Sequence, residues 1–237
     1  MRLNHVTAVV IISAAMLAAS TSPASATFTV YNSRSTFDAL GPITSVDWSV
    51  FGPFGTVIST PDSRTVGGVT VQVGSSQGAL DRHDEAVDYT GDFSRGDHLL
   101  TDAGSQSDSF IVRFATPVRG FGTQVEAHYI AGPWTGAIEL FDTSDTLIDT
   151  ILTAGTKGSA EDNSAPFYGV VSSSADISYA IFLVNQTLPP PDQTAGAVAI
   201  NTLDVLGAVP EPSSLALAGA ALLGLAWFGF ARRRVRA

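Results

Sequence analysis

Short apolar runs with a period of two residues, separated by turn-forming residues, constrain the fold of this chain more than any other feature. After a Gly-Gly pair, Val69, Val71 and Val73 alternate with polar residues, as in a strand that buries one face. Similar runs occur at residues 28–31, 46–50, 56–60, 110–114, 121–127, 137–141, 147–152, 167–171, 177–184 and 198–206. We therefore predict an all-β domain over residues 27–207, folded as a single two-sheet antiparallel β-sandwich of jelly-roll-like type.

Helix signals are scarce in this region, which fits a composition of 22 Gly and 12 Pro in 237 residues. Residues 35–40 are the one good candidate, because Ser33 or Ser35 can cap the start and Gly41 can end it. We expect this helix to plug one end of the sandwich. Four strand residues are predicted to be core: Phe114, Val118, Phe121 and Phe167. Three glycines near them are predicted to relieve crowding at bulges or strand edges: Gly120, Gly122 and Gly169.

The first 26 residues have the three parts of a secretory signal peptide. Arg2 and His5 precede an apolar run over residues 6–19, and Ala24 and Ala26 form a small-x-small cleavage site. An N-terminal anchor helix is the alternative, but the run is shorter than the roughly 20 residues that a bilayer requires. We predict cleavage after Ala26, with the general secretory machinery as the partner.

The last 30 residues, 208–237, contain an apolar segment followed at once by a basic end. Residues 215–231 are long enough for a transmembrane helix. Four arginines follow it and are predicted to stop the chain in the membrane: Arg232, Arg233, Arg234 and Arg236. Because such arginines resist translocation, the domain on the N-terminal side is predicted to face outward.

A Pro-Glu-Pro triplet stands just before this segment, at Pro210, Glu211 and Pro212 within residues 209–214. The triplet, apolar helix and terminal arginines together resemble the PEP-CTERM sorting signal, which is also catalogued as an "ice-binding protein C-terminal domain" without evidence of ice binding. The resemblance implies that an exosortase recognises the triplet and removes the tail near it. The residues by themselves also fit a single-pass anchor with a proline-containing linker.

Charge and cysteine content exclude several classes of function. Residues 27–208 carry 21 acidic and 7 basic side chains, a net charge of −14, and Lys157 is their single lysine. A nucleic-acid-binding face needs clustered cations, so we predict no nucleic-acid partner. The chain has no cysteine, which excludes disulfides, thiolate metal sites and cysteine nucleophiles.

Candidate metal ligands are concentrated in one acidic segment. It begins with the run Asp81, Arg82, His83, Asp84 and Glu85 and continues through Asp88, Asp92, Asp97 and Asp102. Oxygen-rich loops bind Ca²⁺, so a structural calcium site is one hypothesis and a solvated acidic loop is the alternative. The histidines His83, His98 and His128 lack the spacing of a zinc helix and are predicted to be solvent-exposed or loop residues, with a site assembled from distant histidines as the alternative. We predict no catalytic or cofactor-binding residues.

Aromatic side chains offer a second hypothesis, because planar rings stack on sugars. A carbohydrate-binding platform could be formed by Trp48, Phe51, Phe54, Tyr129 and Trp134. Trp134 lies in a Gly- and Pro-containing segment where a ring is often exposed, and packing over the sheet edge is the alternative for it.

The resulting interpretation is a non-catalytic cell-surface or biofilm-matrix protein that binds exopolysaccharide. We expect it to be exported, held in the inner membrane by its C-terminal helix until processing, and then to reach the cell surface or the extracellular space. The alternative is an extracellular glycan-active lyase or hydrolase on the same scaffold. A concave pocket where an acid, a base and a donor converge would favour the enzyme.

Overall fold

The computed structural model describes residues 26–207 except 77, 103–108, 129–130, 175, 188–193 and 196. The predicted signal peptide, apart from Ala26, and the predicted sorting tail therefore lie outside the described residues. The strands are, in chain order, β1 (Phe28–Tyr31), β2 (Ile43–Val46), β3 (Thr56–Ser59), β4 (Asp62–Val66), β5 (Val69–Ser75), β6 (Ala79–Asp84), β7 (His98–Asp102), β8 (Phe110–Val118), β9 (Gly120–Ala127), β10 (Gly132–Phe141), β11 (Leu147–Lys157), β12 (Phe167–Ser172), β13 (Ile177–Thr187), β14 (Thr194–Ala195), β15 (Val198–Ile200) and β16 (Leu203–Leu206).

Two short helical segments accompany the strands. The α-helix α1 spans Arg34–Asp38, and a 3-10 helix spans Trp48–Phe51. Neither helix in the described part of the chain is long and apolar enough to cross a membrane.

The strands form two antiparallel sheets. The first sheet runs β1-β12-β9-β15-β7-β6-β3, with β16 beside β9 and β2 beside β16. The second sheet runs β11-β10-β13-β8-β5-β4, with β14 on β13. This arrangement confirms the predicted all-β, two-sheet sandwich.

The core lies between the sheets because residues along each strand alternate between its two faces. On β9, Phe121 and Val125 point into this core, where Phe121 meets Phe114 and Phe182 of the second sheet with ring centroids 5.7 and 6.0 Å apart. Phe114, Val118 and Phe121 are buried there as predicted.

Helix α1 packs on the outer face of the first sheet. Its Phe37 contacts Phe167 of β12, with ring centroids 5.9 Å apart, in a small apolar cluster outside the main core. The prediction that the helix plugs one end of the sandwich is therefore wrong, and Phe167 is buried beneath the helix rather than between the sheets. Gly122 and Gly169 do relieve crowding, because a methyl group on either would overlap Phe167 or Phe37, but they lie within inner strands and not at a bulge or a sheet edge.

Strand prediction failed where charged or amide side chains interrupt the pattern. Strands β4, β6 and β7 carry several polar residues and were not predicted, and the predicted strand at 46–50 is largely a 3-10 helix. The predicted strand at 198–206 is broken after Ile200, and Asn201 fills the break. Its side-chain oxygen accepts a hydrogen bond from Gln124 N at 3.1 Å, and its amide donates to Asp97 at 2.9 Å.

Candidate functional site

The acidic segment covers part of the outer face of the first sheet. Asp81–Asp84 belong to β6, His98–Asp102 form β7, and the chain between them folds back over the sheet. A second apolar cluster lies beneath it, consisting of Tyr89, Phe93, Leu99, Ala165 and Ala199. This segment is therefore part of the folded domain and not a solvated loop.

Carboxylates of this segment bind protein groups instead of converging on one point. Asp92 accepts hydrogen bonds from the backbone N–H groups of Gly158 and Ala160, at 2.6 and 3.0 Å. Asp88 accepts one from Asp84 N at 2.7 Å. Among the described residues, no three His, Asp or Glu side chains are grouped so that they could hold a metal ion. The calcium hypothesis gains no support from this part of the chain.

Two of the three histidines lie in strands, contrary to the prediction. His83 is half-buried in β6 and lies 3.0 Å from Asp88, and His98 begins β7 and contacts Asp47 at 2.7 Å. His128 follows β9, and its ring stacks on Tyr89 with centroids 5.4 Å apart. Burial lowers the pKa of His128 to about 3, and the charges of His83 and Lys157 act in the same direction.

The most unusual feature of the domain is a buried cluster of four ionisable side chains: Glu85, Tyr89, Glu126 and Lys157. The Lys157 ammonium lies 2.9 Å from the Tyr89 hydroxyl and 3.6 Å from Glu126 Oε2. The Tyr89 hydroxyl donates to Glu126 Oε2 at 3.3 Å. Glu85 accepts a hydrogen bond from Gly91 N at 2.8 Å, and a methyl group at Gly91 would overlap the Glu126 carboxylate. Gly91 thus lies between the two glutamates.

Burial determines the protonation of this cluster. It raises the pKa of both Glu85 and Glu126 to about 7, with Lys157 partly opposing the shift. It lowers the pKa of Lys157, although the neighbouring glutamates oppose this, and it raises the pKa of Tyr89. Glu85 and Glu126 are both 0% exposed. A carboxyl without water favours its neutral form, so the cluster holds protons that an exposed site would release.

Of these four residues the sequence singled out only Glu85, and that as a candidate metal ligand; Tyr89, Glu126 and Lys157 were not predicted as functional groups. One signal was present, because Glu126 is a charged residue inside the otherwise uncharged run at 121–127, and Lys157 is the single lysine of the domain. Which partners they meet depends on the fold, since β9 and β11 belong to different sheets.

Two open grooves lie away from this cluster. One, of about 340 Å³, lies on the outer face of the second sheet and is lined by Gln72, Ile111 and Arg113 among others. The other, of about 500 Å³, lies at the sandwich edge between β1 and β11, beside Thr150 and Tyr168. Among the residues that the structure describes, no Asp, Glu or His lines either groove, so the buried cluster opens into neither of them.

The predicted aromatic platform does not exist as proposed. Trp48, Phe51 and Trp134 are buried, and Trp134 is 2% exposed in the core between the sheets. Its indole lies against Gly155, where a methyl group would stand 2.6 Å from the ring. Phe54 is 52% exposed, and Tyr129 lies outside the described residues. The turn signal at Gly132 and Pro133 was misleading because both residues belong to strand β10.

The tail that follows the domain carries a known sorting motif. A family model described as the PEP-CTERM protein-sorting motif matches residues 208–234. The chain is a PEP-CTERM sorting domain-containing protein. Pro210, Glu211 and Pro212 lie within the matched range, as do three of the four terminal arginines, so the resemblance seen in the sequence is confirmed. The PEP-CTERM tail indicates export across the membrane and exosortase-dependent sorting.

Three solved structures match the chain with sequence identities of 10–13% and TM-scores of 0.26–0.31. CsCBM6-3 from Clostridium stercorarium in complex with cellobiose is 13% identical, with a TM-score of 0.31, over 65% of this chain and 94% of that chain. A glycoside hydrolase family 43 arabinoxylan arabinofuranohydrolase from Bacillus subtilis in complex with cellotetraose is 10% identical, with a TM-score of 0.30, over 68% and 43%. The K2 cleaved adhesin domain of Lys-gingipain is 10% identical, with a TM-score of 0.26, over 76% and 99%. No curated protein matches the sequence.

Proposed function

We propose that this protein is a non-catalytic cell-surface or matrix protein, delivered by its PEP-CTERM tail, whose domain binds a neutral polysaccharide. The sorting motif at residues 208–234 carries the first part of the proposal. A protein addressed in this way acts outside the cell, where the matrix polymer is an abundant ligand.

The positions of the ionisable groups support the non-catalytic interpretation. Hydrolysis of a glycosidic bond uses two carboxyl groups that flank the substrate. Glu85 and Glu126 have the raised pKa that a general acid needs, but both are sealed beneath the protein surface, and the two grooves are lined without carboxylates. The arrangement therefore favours a binding protein over a glycan-active enzyme.

The groove on the second sheet is the best candidate for glycan binding. Gln72 and Arg113 project from adjacent strands and offer planar polar groups that can hydrogen-bond to sugar hydroxyls. Arg113 is held in place by the ring of Tyr179, 3.8 Å from its guanidinium carbon. A domain with a net charge of −14 repels anionic polymers, which is why we propose a neutral one.

The binding proposal is tested by retention of the purified protein on neutral polysaccharide isolated from the producing bacterium. Gln72→Ala and Arg113→Ala should each reduce retention several-fold. Thr150→Ala, which changes the other groove, is the matched control and should be retained like the wild type. Equal retention of all variants, or no retention of the wild type, would count against binding at this groove.

The sorting proposal is tested separately by mass spectrometry of the protein isolated from its native envelope. We expect an N-terminus at Thr27 and a C-terminus at or near the triplet at Pro210, Glu211 and Pro212. Deleting the exosortase should leave the tail attached. A wild-type protein that keeps its arginine-rich end would show that the tail is a simple anchor.

A further inference from the structure

Lys157 and Glu126 join the two sheets at one end of the sandwich. Lys157 is the last residue of β11, the edge strand of the second sheet, and Glu126 points outward from β9 in the first. Their side chains are 6% and 0% exposed, and Nζ lies 3.6 Å from Oε2. A buried amine is thus held next to a buried carboxyl group, with water excluded from both.

The neighbours of this pair orient it. The Thr90 carbonyl and the Tyr89 hydroxyl both lie 2.9 Å from Nζ and fix the end of the lysine side chain. Tyr89 also donates to Glu126 Oε2 at 3.3 Å, so its hydroxyl touches both groups. In the described part of the chain, Glu126 Oε1 has no hydrogen-bond partner. One carboxyl oxygen is therefore held while the other is buried without a hydrogen-bond partner.

We propose that Lys157 and Glu126 condense into an intramolecular amide that cross-links the two sheets. A bond between Nζ and Cδ leaves no ionisable group at either position, in a dry interior where even a paired charge is costly to desolvate. The chain has no cysteine, so this amide would supply the covalent cross-link that exported domains commonly obtain from a disulfide.

The reaction is balanced without an oxidant or a co-reactant. The neutral amine of Lys157 attacks Cδ of the protonated Glu126 carboxyl group, and the C–N bond forms. The tetrahedral intermediate expels the hydroxyl group as water, which takes up one proton from nitrogen. Tyr89 is placed to relay that proton, because its hydroxyl contacts both the nitrogen and a carboxyl oxygen.

The environment provides the protonation states that the reaction requires. Burial lowers the pKa of Lys157, which favours the nucleophilic amine, and raises the pKa of Glu126 to about 7, which favours the neutral acid. Holding the two groups together replaces an encounter in solution by an intramolecular step, an advantage that reaches many orders of magnitude in well-oriented systems. Excluded water cannot reverse the condensation efficiently.

The test measures mass in the purified, denatured full-length protein. We expect the fragment that contains Glu126 and Lys157 to lack the mass of one water molecule, and trypsin not to cleave after Lys157, since an amide carries no positive charge. Lys157→Met should have the full mass calculated from its sequence. A wild-type fragment of full mass, with cleavage after Lys157, would overturn the proposal.

Two further variants distinguish this amide from an unrelated dehydration. Glu126→Gln should lose ammonia instead of water and reach the same final mass as the cross-linked wild type, because both give the same amide. Tyr89→Phe should form the bond several-fold more slowly after refolding. A water loss that persists in Lys157→Met would place the dehydration elsewhere and refute the proposed bond.

Discussion

Replacement of Trp134 by alanine tests whether this residue stabilises the core or could instead be an exposed binding residue. The indole is 2% exposed, lies in the core between the sheets and contacts Gly155 on the neighbouring strand. Its Nε1 has no hydrogen-bond partner among the described residues, so the change removes packing and no hydrogen bond. Truncation of a fully buried tryptophan costs about 3–5 kcal/mol, a large part of the stability of an ordinary domain.

For a domain of this size, 1 kcal/mol corresponds to roughly 2–4 °C in the unfolding midpoint, so we expect Trp134→Ala to lower the midpoint by roughly 6–20 °C. Thermal unfolding followed by circular dichroism measures this directly. Phe54→Ala is the control, because its ring is 52% exposed and its loss should change the midpoint by a degree or two. A Trp134→Ala protein that unfolds at the wild-type temperature would refute the packing argument.

Three other predictions concern buried positions. Burial raises the pKa of Glu85 from 4.5 to about 7, so the stability that depends on its protonated form is present at low pH and is lost as pH rises through 7. The part of the free energy of unfolding due to Glu85 should fall by roughly 3 kcal/mol between pH 5 and 8, and Glu85→Gln should make the stability–pH profile from urea unfolding less steep by that amount. Identical stability–pH profiles for the wild type and Glu85→Gln would contradict the raised pKa of Glu85. Gly136→Ala should lower the free energy of unfolding by more than about 2 kcal/mol, because the new methyl group would overlap the Leu183 carbonyl. Gly74→Ala is the control and should be nearly neutral, since the atom nearest to its methyl group would be 3.7 Å away. Similar unfolding midpoints for the two variants would argue against a clash at Gly136. Asn201→Ala should lower the free energy of unfolding by about 2 kcal/mol, because it leaves the backbone N–H of Gln124 without its partner. An unchanged hydrogen-exchange rate of the Gln124 amide in this variant would count against the prediction.

The fold class could be predicted because the sandwich depends on a local pattern. Val71 and Val73 alternate with polar residues in the sequence, which predicts one buried face, and both are buried in the core as part of β5. Strand β6 was missed because Asp81, Arg82 and His83 look like a polar loop. The structure shows that Arg82 is 1% exposed and pairs with Asp84, so the charges are accommodated by partners that the local pattern does not reveal.

The candidate site could not be predicted for a related reason. Trp134 follows Gly132 and Pro133, and local turn statistics favour exposure, but a strand pairing with β11 buries the ring. Likewise Glu126 and Lys157 are 31 positions apart, and nothing in either segment indicates that the two side chains meet.

The sequence alone determined the family and the β-sandwich class, because a sorting signal is read as a linear segment and strand alternation repeats every two residues. The tertiary structure decided which polar groups lose their water, because burial depends on segments distant in the chain that cover one another. Glu85, Tyr89, Glu126 and Lys157 come from such segments, and only their packing places an amine, a phenol and two carboxyl groups together in a dry interior.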